Sequence, residues 1–126
     1  MLRLNSLNGL AATIKHLPFL RLDSDPLEEA GLYFRRACLA AAEERYDVAL
    51  IFCAKAVKLD AGHLPTLLLA AQIHHWGVPD FDEAVRCYRK VIAVSAYDEQ
   101  NPYCAAASHG LDDLVRTTEI AVESTV

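Results

Sequence analysis

Apolar residues recur along this chain at intervals of three and four, and short polar breaks divide the pattern into successive helices. Between Leu2 and Leu20 the residues Leu7, Leu10, Ala11, Ile14 and Leu17 share one helical face, with Asn5 or Ser6 as cap and Pro18 as stop. A linker, Leu22-Asp23-Ser24-Asp25-Pro26, leads to the next helix. There an Asp or Ser cap, a proline in the first turn, and Glu28 and Glu29 suit the free amides and the positive end of a helix dipole. The pattern predicts helices over 26–44, 47–59, 64–76, 81–95 and 101–122, the last weakened at Gly110. The break at Trp76-Gly77-Val78-Pro79 predicts a left-handed Gly77, and Asp80 with Glu83 predicts a capping box. No strand pattern competes. Residues 1–22 form an N-terminal amphipathic segment and 23–126 a helical domain.

Helices joined by such short turns pack as antiparallel neighbours, so the chain reads as hairpins of an all-α fold. Two of the helices repeat each other. Tyr46-x-x-Ala49-x-x-x-Cys53-x-x-Ala56 aligns with Phe81-x-x-Ala84-x-x-x-Tyr88-x-x-Val91, 35 residues on. An alanine three residues after an aromatic lets two helix axes approach closely, where a larger side chain would cost about 1–3 kcal/mol in overpacking. A period near 34 residues with a helix pair in each unit is the mark of a solenoid.

On these residues the chain resembles the tetratricopeptide-repeat family, with two repeats over about 30–96 and a capping helix over 97–122. The first helix of each pair keeps the family's bulky residue and, four later, its small one, in Tyr33/Ala37 and Leu67/Ala71. Arg36, Cys53, Val91 and Ala61 depart from the family pattern. The resemblance implies a short TPR-like stack whose first helices line a concave, largely apolar groove. Phe34, Cys38 and Ala41, then Leu68, Gln72 and His75, and Tyr103 from the cap, would face it. Such a groove suits a peptide or an amphipathic helix. Phe34, Leu68 and Tyr103 would serve equally well as core, so Gln72 and His75 are the stronger groove candidates. The carboxylate clamp of some family members is not expected, because Phe34, Cys38 and Leu69 occupy clamp positions.

Composition narrows the reading further. In 126 residues, 53% of them hydrophobic, one domain with a real core is expected. Residues 1–22 carry Arg3, Lys15 and Arg21 without an acid, whereas the remainder holds 9 basic and 17 acidic residues. A body with that balance lacks the basic face that nucleic acid needs, so no nucleic-acid partner is expected. Cys38, Cys53, Cys87 and Cys104 form no C-x-x-C pair and read as free thiols in a reducing compartment.

Chemistry is hard to assemble from what is left. His74-His75-Trp76 is the most suggestive cluster, with Cys87 or Cys104 as conceivable neighbours. Adjacent histidines diverge on a helix, whereas ligands recur at i+3 or i+4, so a packed His74 and an exposed His75 are expected, with no metal. Ser108-His109 lacks an orienting acid, and no phosphate, dinucleotide or zinc-protease motif occurs. The expectation is therefore a cytoplasmic interaction module, an adaptor or scaffold with no catalytic residue, no cofactor and no transmembrane segment. Two alternatives stand beside it: a self-assembling structural subunit using the N-terminal helix, and a small helical metal protein or enzyme. Residues 1–22, basic and amphipathic, would also suit mitochondrial targeting or a membrane surface.

Overall fold

A computed structural model describes residues 25–125, with side chains through Thr118. The expected helix within Leu2–Leu20, and with it the 1–22 segment, lies outside the described residues. Five α-helices follow in order: α1 (Pro26–Ala42), α2 (Tyr46–Leu59), α3 (Leu64–Gln72), α4 (Phe81–Val94) and α5 (Pro102–Thr125). No strand occurs among the described residues. α1 packs most extensively on α2, α3 on α4, and α4 on α5, so two hairpins and a closing helix follow one another.

Local chemistry accounts for the helix ends. Asp25 caps α1, its carboxylate accepting from the Leu27 amide at 2.9 Å, with Pro26 in the first turn. Asn101 does the same for α5, accepting from the Tyr103 amide at 2.9 Å. α1 and α4 both end in Schellman turns. Arg45 donates to the Ala40 carbonyl and Glu44 to Ala41; Tyr97 donates to Ile92 and Ala96 to Ala93. Glu44 and Ala96, at the positions glycine would favour, hold φ of 59° and 58°.

Two expectations about turns are corrected. Gly77 is not left-handed, since no described glycine has positive φ. α3 instead runs on into a π-helical turn, Ile73–Gly77, closed by the Val78 amide donating to the Ile73 carbonyl at 2.8 Å. Gly77 is needed for space, because a Cβ there would lie 2.8 Å from the Tyr46 ring. The capping box at α4 is only half formed. Asp80 accepts from the Glu83 amide at 3.3 Å, but the Glu83 carboxylate turns to Arg86, and the Asp80 amide goes to the His74 carbonyl.

The core is built from small residues. Ala37, Ala49, Ala56, Ala71, Ala84 and Ala107 are fully buried, so the helices approach closely. One cluster joins α3, α4 and α5 through Leu67, Ala71, Ala84, Tyr88, Val91, Ala107 and Leu114; another joins the first hairpin to the end of α3 through Ala40, Ala49 and Ile73. Tyr88 is the largest fully buried side chain, and its ring lies against the backbone of α5 at Gly110. α5 therefore runs straight through Gly110 instead of weakening there.

Gly110 and Gly31 both sit inside helices, which sets up a direct comparison. A Cβ at Gly110 would fall 2.3 Å from Tyr88 Cζ, whereas at Gly31 it would meet nothing within 4 Å. Gly31→Ala should stabilise the fold by about 0.5–1 kcal/mol through helix propensity. Gly110→Ala should lose about 1–3 kcal/mol through overpacking despite the same gain. Urea denaturation of the two variants measures the difference, and equal effects would dismiss the ring contact.

Candidate functional site

The π-helical turn sets the positions of His75 and Trp76. A π turn carries one more residue per turn than the α-helix it continues, so His75 and Trp76 leave the register that α3 would have given them. His75 swings towards α4, where its Nδ1 lies 2.8 Å from the Tyr88 hydroxyl and its ring meets the Tyr88 ring edge-on. Trp76 stacks on the same imidazole, with centroids 4.0 Å apart and planes 15° from parallel. The indole stays 71% exposed. A large aromatic surface is thus held in one orientation by a chain of contacts that ends in the core.

Protonation states follow from burial. Desolvation lowers the pKa of His75 from its ordinary 6.5, against a smaller opposing pull from Asp113, and raises that of Tyr88 to about 12, with Asp113 and Cys87 adding to the rise. At neutral pH the phenol is protonated and the imidazole neutral. The arrangement that satisfies both is the Tyr88 hydroxyl donating to His75 Nδ1.

The other sequence-predicted groove residues are not all equally available. Leu68 and Tyr103 are half-buried and pack against the main core cluster. Phe34 is half-buried with its ring edge-on to His63, whose Nδ1 bonds the buried Thr66 hydroxyl at 2.7 Å. Cys38 and Ala41 are half-buried, and Gln72 is exposed. The expected exposed His75 is corrected: it is half-buried and tethered. On sequence Trp76 enters only through the His74-His75-Trp76 cluster and not among the groove residues, although it is the only tryptophan of the chain.

A cleft of about 240 Å³ lies elsewhere, between α2, α3 and α4. Leu50, Cys53, Val57, Leu67 and Ala70 form apolar walls, with Glu83, Arg86 and Lys90 among the charged lining. His74 lines it too, half-buried, its Nδ1 buried without a hydrogen-bond partner. Leu67, Ala70 and His74 occupy a different flank of α3 from Leu68, Gln72 and His75, so cleft and predicted groove are separate surfaces. The thiols of this region are poor nucleophiles. Burial pushes Cys53 up to about 12 and raises Cys87, and all four cysteines are free. No group of His, Cys, Asp and Glu suited to a metal ion occurs among the described residues. No described helix is long and apolar enough to cross a membrane.

No family model, no curated protein and no solved structure matches this chain.

The His75–Tyr88 contact has a pH signature. The folded pKa of His75 lies below its unfolded value, so the unfolded chain binds more protons between the two. Its contribution to stability is complete above about 6.5 and is lost as pH falls through that value towards the folded pKa. Tm should decline on acidification from pH 7.5 to 5.5, and His75→Gln should remove that part of the slope. Trp76 fluorescence should follow the same proton, with a midpoint below 6.5. Identical slopes in the two proteins would detach the histidine from the effect.

Proposed function

We propose that this chain is a protein-interaction module, an adaptor, scaffold or accessory subunit built on two tetratricopeptide-like hairpins with a closing helix, and not an enzyme. Its partner is a protein segment, either an extended peptide or an amphipathic helix, received along the face that carries Leu68, Gln72 and His75. The compartment in which it works follows from that partner.

The observation that carries this reading is Trp76. Tryptophan is enriched among residues that dominate binding energy, and such residues work best when already held in their bound orientation. An indole 71% exposed, lying flat on an imidazole that is itself hydrogen-bonded to a buried phenol, meets that description. Val78 and Phe81, the next large apolar residues along the chain, are exposed as well, and Gln72 adds a polar group at the end of α3. The repeated Tyr46/Ala49 and Phe81/Ala84 pairs support the hairpin architecture, since both alanines are fully buried and pack close helix pairs. Burial raises Cys53 and Cys87, and this leaves the cleft without the thiolate that nucleophilic chemistry would need.

Removing an exposed indole should cost little stability, within about 0.5 kcal/mol, yet a binding anchor is worth about 2 kcal/mol or more. Trp76→Ala should therefore keep its Tm and weaken the captured partner at least about tenfold. Gln72→Arg should weaken it too, by placing bulk and charge on the same face. Capture from the native cell with wild-type and variant baits, followed by calorimetry on the partner identified, makes the comparison. Equal affinity for wild type and Trp76→Ala would remove this edge of the domain from consideration.

A further inference from the structure

The cleft between α2, α3 and α4 has in its wall a polar atom that the fold leaves unmet. His74 Nδ1 is buried without a hydrogen-bond partner, and no other side-chain nitrogen or oxygen among the described residues is in that condition. A buried ring nitrogen costs free energy until a partner reaches it. Around it the cleft combines two kinds of lining. Cys53, Val57, Leu67 and Ala70 are apolar, whereas Arg86 and Lys90 outnumber Glu83 among the charged residues.

The polar groups gather at one end. The hydrogen bond from Arg86 and, among lesser causes, the charge of the nearby His74 lower the pKa of Glu83. Glu83 takes one edge of the Arg86 guanidinium, through Nε at 3.1 Å and Nη2 at 2.7 Å, and this fork leaves the Nη1 donors unused. α3 runs antiparallel to α4, and Leu67 precedes His74 by about two helical turns, so Leu67 and Val57 stand towards the other end, about 10 Å away.

We infer that this cleft is a binding site for a small amphiphilic carboxylate, whose head accepts from His74 Nδ1 and from the free edge of Arg86 while its tail lies towards Val57 and Leu67. The tautomer with its proton on Nδ1 supplies the first of these bonds, and the ligand meets the nitrogen that the protein does not. A cationic head would face Arg86 and Lys90 instead. Volume sets the length of the tail. A cavity of about 150 Å³ holds the six carbons of benzene, so the 240 Å³ of this cleft takes about ten non-hydrogen atoms. Octanoate has that size, and its chain spans the two turns between the ends. The site shares no residue with the Trp76 edge and does not depend on the partner reading.

Octanoate titrated into the full chain and followed by amide chemical shifts should bind saturably at one site, with a Kd on the order of 0.1–1 mM for about ten atoms. The shifts should centre on Ala70, His74 and Cys87. Octylamine, of equal length and opposite charge, should bind at least about tenfold more weakly. His74→Leu, which puts an apolar group in place of the unmet nitrogen, should keep or raise Tm and yet weaken octanoate about tenfold. Arg86→Gln, on the exposed rim, should weaken octanoate and leave octanol unchanged. Trp76→Ala should bind octanoate as the wild type does. Shifts that never saturate or that scatter over the surface, octylamine binding as tightly as octanoate, or full octanoate affinity in both His74→Leu and Arg86→Gln would overturn the proposal. Loss of octanoate binding in Trp76→Ala would overturn it too, by moving the amphiphile to the other edge.

Discussion

The fold depends on an aromatic ring set flat against a helix or turn backbone where only glycine leaves room. Tyr46 closes on Gly77 and Tyr88 on Gly110, each ring reaching from one hairpin to the element that follows it. In a core where half of the buried apolar residues are alanine, these two rings supply much of the volume that keeps successive units in register. Tyr88 does more than fill space. Its hydroxyl, carried to the edge of the core by the ring, fixes His75, and His75 fixes Trp76. One side chain on α4 thus couples the packing of α5 to the orientation of an exposed indole on the turn after α3.

This coupling explains why the turn between α3 and α4 is a π turn. The sequence over 64–76 reads as an ordinary helix stopped by glycine. An α-helical continuation would leave His75 at a different angle from the one at which it now meets Tyr88. Adding a residue to the turn costs regular hydrogen bonding, which the Val78-to-Ile73 and Asp80-to-His74 bonds restore at 2.8 and 2.7 Å. The half-formed capping box belongs to the same economy. The Asp80 amide is committed to His74, so the Glu83 carboxylate is released to fork onto Arg86, which holds its pKa below the ordinary value.

Local signals in the sequence were enough for the helices themselves. The bound 81–95 falls within a residue of Phe81–Val94, where the Asp80 cap acts within one turn of chain, and 47–59 falls within a residue of Tyr46–Leu59, which has no side-chain cap and follows its apolar and alanine spacing. The features that were illegible are those set by distant residues. Gly77 and Gly110 look like breakers until Tyr46 and Tyr88 are seen against them, 31 and 22 residues away. Glu44 and Ala96 carry no glycine to announce a left-handed turn, yet each adopts one because the Schellman hydrogen bonds stabilise it. Of the site, Gln72 and His75 were legible as polar residues on an apolar stripe. Trp76 was not, since its exposure depends on a turn whose period changes only when α4 is present.

The unequal cover of the two hairpins bears on which surfaces remain for a partner. Leu32 and Leu39 of α1 are exposed, whereas Thr66 and Ile73, 34 residues on, are buried. In α3 the face holding Thr66 and Ile73 looks back to the preceding hairpin, so the corresponding Leu32–Leu39 face of α1 points away from α3. The two exposed leucines thus lie at the open end of the described helices, and the exposed Gln72 and Trp76 lie beyond the buried Ala71 at the other end of the second hairpin's first helix.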